Sequence, residues 1–272
     1  MKESKISIVT VCWNAESCIE KTIQSIIDQT FCDYEYLIID GASTDSTMRI
    51  VEKYRESFRT KDIKYFYISE PDHGIYDAMN KSIGIAEGEW ILFMNAGDTF
   101  FDNDVLEKLF SANYTNADVV YGNVLLAENG KYKKAAIGKI TDNSVHSPIC
   151  HQGTMIKTQL MKKFRFNTEY RLAADYDVLL RLYNSGAVFL KSEIVLAVFE
   201  LGGTSSQQSI KYLKEMNLSR TNNAFKDREW IWVSFMRLII YNFLRNLGIS
   251  VLKSSFYSEK RGWFSDKYKA IE

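Results

Sequence analysis

The strongest constraint on the fold is a rhythm in the first hundred residues. Short apolar runs alternate with helical stripes, and each run stops at polar groups. Ile6 to Val11, Tyr36 to Ile39, Ile63 to Ile68 and Trp90 to Met94 have the length of strands, and their apolar character suits strands covered on both faces. Between them, Ile19, Ile23, Ile26 and Ile27 recur at helical spacing, as do Met48, Val51, Tyr54 and Phe58, and then Ile75, Met79, Ile83 and Ala86. Ser43, Thr44 and Asp45 offer N-caps to the second helix, and Gly88 offers a stop to the third. Strand and helix alternating over short links predict a mostly parallel sheet with right-handed crossovers. In such a sheet ligands gather beyond the carboxyl ends of the strands, where these polar stops fall.

The fourth run is the most informative. It ends at Asn95-Ala96-Gly97-Asp98, a carboxamide and a carboxylate flanking two small residues. A carboxylate there can hold a divalent cation, and small neighbours let phosphate oxygens approach. A plain polar turn explains these four residues equally well in isolation; the polar ends of the other three strands favour a site. The first turn, Cys12-Trp13-Asn14-Ala15-Glu16, contains no glycine, which excludes a dinucleotide fingerprint and a P-loop. Any nucleotide must therefore be held by side chains and a metal.

Composition narrows the classes further. With 272 residues, 46% of them hydrophobic, the chain is long enough for one large α/β domain and an appendage. Its 34 basic and 34 acidic side chains cancel, which argues against a nucleic-acid partner. Cys12, Cys18, Cys32 and Cys150 form no CxxC pair, so zinc or redox motifs are not expected. Met1 to Lys5 lead directly into the first strand, so no secretory leader is expected either.

Beyond Asp98 the pattern loosens. A helix is expected around Val105 to Phe110, one or two strands over Asp118 to Ala127, and a basic loop or edge hairpin over Lys131 to Lys139. A short strand follows at Thr154 to Ile156, then a helix from Asp175 with an acidic first turn, then strands at Ala187 to Leu190 and Ile194 to Phe199. From about Ser209 the pattern is helical with no strand signal. The division expected is a domain over 1–206, with halves 1–98 and 99–206, and a helical extension over 207–272.

Within that extension, Arg228 to Lys253 is rich in aromatics, with Trp230 and Trp232 beside basic side chains. This suits a helix lying in a bilayer interface. A membrane span is disfavoured, since Arg237 and Arg245 would each cost about 2.5–3.5 kcal/mol inside it. A helix packed on the catalytic domain, or at a homodimer seam, remains the alternative.

Four motifs occur in order: Val-Thr-Val-Cys-Trp-Asn (9–14), Ile-Ile-Asp-Gly-Ala-Ser-Thr-Asp-Ser-Thr (38–47), Ser-Glu-Pro-Asp-His-Gly-Ile-Tyr-Asp-Ala-Met-Asn-Lys (69–81) and Phe-Met-Asn-Ala-Gly-Asp (93–98). Together they resemble the nucleotide-sugar half of the family 2 glycosyltransferases of bacterial polysaccharide synthesis. His151-Gln152, Ala174-Asp175-Tyr176-Asp177 and Glu200-Leu-Gly-Gly-Thr-Ser resemble the acceptor half. The resemblance implies a GT-A fold, that is, an α/β mixed sheet flanked by helices. It implies an inverting transfer from a nucleoside-diphosphate sugar to a glycan or lipid-linked acceptor hydroxyl. UDP is the expected nucleotide, with GDP and dTDP open, and Mg²⁺ or Mn²⁺ the expected cofactor. The setting implied is cytoplasmic, at the inner face of the membrane if the aromatic segment binds there.

The same resemblance implies roles residue by residue. Asp40 accepts from the base, and the segment from Thr10 to Asn14 lines the same pocket. Asp77 and Asn80 lie beside the donor, with Asn95 and His151 also on the nucleotide-sugar side. Asp98 holds the metal, and Asp175 is the general base. Each has a structural counterpart: Asp40 as a turn residue, His151 as a core histidine, and Asp175 with Asp177 as acids favoured at a helix N-terminus. Relatives often have aspartates at Asn95 and Gly97, and a glutamate at Ala174. A nucleotidyltransferase and a catalytically inactive sugar-nucleotide-binding scaffold are the rival readings.

Overall fold

A computed structural model describes residues 4–135, 137–138, 140, 149–201, 210–223 and 264–271. The expected rhythm is realised as β1 (Ile6–Cys12), α1 (Ile19–Ile27), β2 (Tyr34–Asp40), α2 (Thr47–Lys53), α3 (Arg55–Thr60), β3 (Lys64–Ser69), α4 (Ile75–Ile85) and β4 (Trp90–Phe93). Then follow β5 (Thr99–Phe100), α5 (Val105–Ser111), β6 (Val119–Glu128), β7 (Lys131–Lys134), β8 (Thr154–Lys157), α6 (Thr158–Phe164), α7 (Ala174–Asn184), β9 (Phe189–Glu200) and α8 (Ile210–Asn222).

One sheet runs through both halves in the order β3-β2-β1-β4-β8-β6-β9-β5, with β7 paired to β6. The four strands of the first half are parallel. The sheet then turns mixed, because β8 runs antiparallel to both β4 and β6, and β5 antiparallel to β9. Period-two alternation explains the layers. In β1, Ile6 and Ile8 face a core shared with Ile19, Ile23, Val51, Phe58 and Leu106, whereas Val9 and Val11 face one shared with Met79, Ile83, Met161, Leu179 and Met216. Thus α1, α2, α3 and α5 cover one face, and α4, α6, α7 and α8 the other. Each fully buried aliphatic side chain contributes about 1.5–3 kcal/mol.

Some expectations need correction. The second helix is two, because the chain breaks at Tyr54, whose hydroxyl is tied to Glu20 (3.1 Å) and Gln24 (3.2 Å) on α1. Its N-cap is Ser46, not Ser43, Thr44 or Asp45, although the Asp45 carboxylate accepts the Thr47 N–H at 2.9 Å. Gly88 does not close α4, which ends at Ile85 with Ala86 extended. Gly88 is needed instead because a Cβ there would lie 2.4 Å from the Ser7 nitrogen on β1. The two strands expected over 187–199 are one. The polar gap at Ser192–Glu193 is absorbed as a register shift against β6, where Asn123 Nδ2 donates to the Glu193 carbonyl at 2.9 Å.

Helix is found over α8, whose Leu213 and Met216 are buried in the second core. It does not continue to the end of the chain: Phe264 forms a β-bridge with Tyr132, and Ala270 is buried in the first core. The aromatic stretch 228–253 lies outside the described residues.

Candidate active site

Register decides which side chains meet. Cys12 pairs with Asp40, and Asp40 with Ser69, so three parallel strands end level at one edge. The fourth chain segment keeps step past its strand end, since Met94 N–H donates to Val9 O (2.8 Å) and Ala96 N–H to Val11 O (3.3 Å). Because β8 runs antiparallel to β4, with Leu92 opposite Met155, the 3₁₀ turn His151–Gly153 before β8 arrives at that same edge.

The Asn95–Asp98 turn closes with Asp98 N–H on the Asn95 carbonyl (3.0 Å). Gly97 takes φ +101°, a conformation that side chains with a Cβ rarely adopt. The Thr22 hydroxyl of α1 pins this turn twice, donating to the Asp98 carbonyl (2.8 Å) and accepting the Gly97 N–H (2.9 Å). Asp98 itself is only 4% exposed. Burial pushes its carboxyl up to about 7, against the opposing pull of His151, a Gln152 hydrogen bond, a Glu200 backbone N–H and Lys21.

Asp175 stands in the first turn of α7, just after Leu172 and Ala173, whose N–H groups donate to Glu215 of α8 at 2.7 and 3.0 Å. The neighbouring acid, Asp177, serves the packing of α7 instead. It is 2% exposed, ion-paired to Arg181 (2.7 Å) and bonded to Ser219 (2.7 Å). Asp175 Oδ2 lies 3.2 Å from His151 Nδ1, and Asp175 Oδ1 lies 3.1 Å from the Tyr76 hydroxyl. His151 Nε2 is 3.1 Å from Asn95 Nδ2. The Cys150 thiol is pushed up to about 12, first by burial and then by the charges of Asp175 and Asp98.

Asn95, Asp98, His151 and Asp175 are thus brought together. Other candidates are engaged elsewhere. Asp40 is fully buried; its oxygens accept from the Ser43 N–H (2.8 Å), the Ser69 hydroxyl (2.6 Å), the Ser43 hydroxyl and the Cys12 thiol (3.5 Å). A base reaching this carboxylate would compete with those donors. Asn14, at φ +46°, accepts the Thr44 N–H (2.9 Å) and clasps the same loop. Thr10 is buried between Met94 O (2.7 Å) and the Tyr36 hydroxyl (2.9 Å). Asn80 binds both backbone groups of Phe166 at 2.9 Å, and Asp77 accepts the His73 N–H at 3.0 Å.

Sequence reasoning put Trp13 within the pocket segment from Thr10 to Asn14 and Gln152 beside His151, but gave neither of them, nor Tyr76, a role of its own. Trp13 is 68% exposed, and a Cβ built on Gly41 would meet both Asp72 Oδ2 (2.5 Å) and Trp13 Cβ (3.5 Å), which places an open indole at the mouth of the loop Asp40 holds. All three lie inside or beside the motifs that carry the family resemblance, but motif position alone does not tell an exposed ring from a core one.

A parallel sheet that turns mixed, flanked by helices on both faces and with carboxylates at its carboxyl edge, is a GT-A fold. In keeping with this, residues 1–349 of Staphylococcus aureus TarS in complex with UDP-GlcNAc superpose with a TM-score of 0.64 at 19% identity, covering 92% of this chain and 76% of that one. The mannosyltransferase PcManGT of Pyrobaculum calidifontis, in complex with GDP-Man and Mn²⁺, superposes with a TM-score of 0.61 at 14% identity, covering 94% and 83%. A PGL/p-HBAD biosynthesis glycosyltransferase of Mycobacterium bovis is 28% identical over 225 residues, 80% of this chain and 86% of its own. Residues 7–187 match the family described as glycosyl transferase family 2, and the chain belongs to that family.

Proposed function

We propose that this glycosyltransferase moves a sugar from a nucleoside diphosphate, UDP in the first instance, to a hydroxyl of a glycan or lipid-linked acceptor, with inversion, in building a cell-surface polysaccharide. The observation that carries the reading is the chain of contacts that links the Asp98 turn to Asp175, through Asn95 to His151 (3.1 Å) and His151 to Asp175 (3.2 Å). As the acceptor oxygen bonds to the anomeric carbon, its proton passes to Asp175. The anomeric C–O bond to the diphosphate breaks on the opposite side, and the electron pair leaves with the nucleoside diphosphate.

The donor side needs its leaving charge met. A buried carboxylate raised by desolvation and the Asn95 Oδ1, buried with no partner among the described residues, are oxygen ligands of the kind a hard cation takes. Among the described residues no three His, Cys, Asp or Glu side chains form a metal cage, so Asp98 would hold Mg²⁺ or Mn²⁺ together with diphosphate oxygens and water. When bound, such an ion neutralises the departing diphosphate. The Mn²⁺ in PcManGT and the UDP-GlcNAc in TarS support this assignment. Trp13 offers its ring to the base, while Asp40, Asn14 and Thr10 hold the wall behind it.

Nucleoside diphosphate release should be measured on a panel of UDP-GlcNAc, UDP-glucose, UDP-galactose and GDP-mannose, with Mn²⁺ and with chelator. Release that needs the metal and is lost in Asp175→Asn is the expected result. Pyrophosphate release would favour a nucleotidyltransferase, and binding without release an inactive scaffold. Among the described residues no helix is long and apolar enough to cross a membrane. Contact of residues 228–253 with the inner membrane face is proposed on sequence alone, and a full-length chain that never co-sediments with anionic vesicles removes it.

A further inference from the structure

The base does not stand alone. Both oxygens of Asp175 meet a side chain from a different element: Tyr76 from α4 and His151 from the turn before β8. The side chains of His151 and Asp175 are 17% and 15% exposed, so this contact is shielded but not sealed from solvent. A carboxylate only accepts, so the proton on the His151–Asp175 contact belongs to Nδ1. The Asn95 amide nitrogen faces Nε2 at 3.1 Å and only donates, so in this arrangement Nε2 accepts and the ring proton sits on Nδ1.

Tyr76 is likewise held as a donor. Burial, and then the charge of Asp175, push its phenol well above the ordinary range, so it keeps its proton. Its one hydroxyl proton is shared between Asp175 Oδ1 and the Leu172 carbonyl, each 3.1 Å away, just before the helix that carries the base. The elements behind these donors are closely packed. Gly153 fits so closely under β6 that a Cβ there would lie 2.5 Å from Val124 Cγ2, and the Tyr76 ring packs on Phe166 with centroids 5.4 Å apart.

Resting on the reading of Asp175 as general base, we propose that His151 and Tyr76 are positioning residues for that carboxylate, and that Asn95 sets the imidazole tautomer that lets His151 do so. The two donors occupy one lone-pair direction on each oxygen and fix the carboxylate plane. The remaining lone pairs are left for the acceptor hydroxyl. Since Asn95 and Asp98 share one hydrogen-bonded turn, the base is tied to the loop that meets the diphosphate. A histidine in contact with the donor sugar or phosphate would act differently: its loss would weaken donor binding whether or not Asp175 is present.

The test uses the full chain and whichever of the four sugar nucleotides it turns over, with Mn²⁺ and water or an added alcohol as acceptor. His151→Ala should lower kcat by about tenfold to a hundredfold, less than loss of the base itself, with donor KM and UDP affinity unchanged. His151→Asn, whose amide nitrogen falls near the Nδ1 position, should recover much of that loss; His151→Gln, which reaches the Nε2 position, should not. Tyr76→Phe keeps the ring and the fold and should cost a few-fold in kcat. The decisive comparison is the double variant: Asp175→Asn with His151→Ala should be no slower than Asp175→Asn alone, because a positioning residue has nothing left to position. Losses that multiply, or a His151→Ala effect confined to KM, overturn the proposal and leave the base assignment standing. Normal turnover in Asp175→Asn, or no release from any donor by the wild type, overturns the base or transferase reading first, and this proposal with it.

Discussion

Two carboxylates at the same sheet edge have opposite surroundings. Asp40 is fully buried and receives its hydrogen bonds from Ser43, Ser69 and Cys12, all within the protein. Asp98 is almost as buried, but its contacts fall short of compensating desolvation, and its carboxyl rises to about 7. A buried charge whose donors are supplied by the fold stabilises the fold; one left short is poised for something the fold does not supply. Asp175 falls between them, held by two donors and partly open. On this view the N-terminal loop at Asp40 is scaffold, and the proposed chemistry falls to Asp98 and Asp175.

The largest effect expected is at Asp175. Replacing it with Asn keeps its size and should lower turnover by about 10³-fold, within the range for a general base, while UDP binds calorimetrically as to the wild type. Turnover within a few-fold of wild type would place Asp175 with Asp177 as a helix acid and move the chemistry elsewhere.

The next effect separates the other two carboxylates by sign. Asp98 has its folded pKa raised from 3.8 to about 7, so the fold favours its neutral form. Its contribution to stability is therefore fully present below about pH 4 and is lost as pH rises through about 7. In chelator, Asp98→Asn should flatten that loss and raise stability at pH 8 by about 2–4 kcal/mol, read from melting curves against pH. Added Mn²⁺ should stabilise the wild type above pH 7 and leave the variant unmoved. Asp40→Ala should go the other way. It orphans the Ser43 and Ser69 donors and should cost about 2–3 kcal/mol, a fall of roughly 4–5 °C in Tm. If both variants shift stability in the same direction, the contrast between scaffold and site fails.

How much of this was legible in the sequence follows from what each signal depends on. The strands β1 to β4 and the stripes of α1 and α4 could be read because each carries its own apolar pattern over adjacent residues. The two-residue β5, the helix α6 and the continuity of β9 across Ser192–Glu193 could not, since each is set by a partner strand or by packing. Within the site, Asp98 and Asp175 stood out as acids at a strand end and a helix start. The contact between His151 and Asn95, which are 56 residues apart, depends on the antiparallel register of β4 and β8. That Asp40 would be satisfied by Ser69 depends likewise on the parallel register of β2 and β3. No pattern in one chain segment reports either pairing.

The smallest effect expected falls at Trp13, on the border between the two regions. Its indole is 68% exposed, so it gives the fold little, and Trp13→Ala should leave Tm unchanged within about 1 °C. Stacking of a base on an aromatic ring is worth about 1–3 kcal/mol by alanine substitution, and an open ring at a loop mouth belongs near the lower end. UDP should therefore bind roughly fivefold to tenfold more weakly to Trp13→Ala, with kcat at saturating donor unchanged, while Trp13→Phe keeps most of the affinity. The opposite outcome, a lowered Tm with unaltered UDP affinity, would assign Trp13 to the scaffold that Asp40 anchors and leave the base of the nucleotide to be recognised elsewhere along the strand ends.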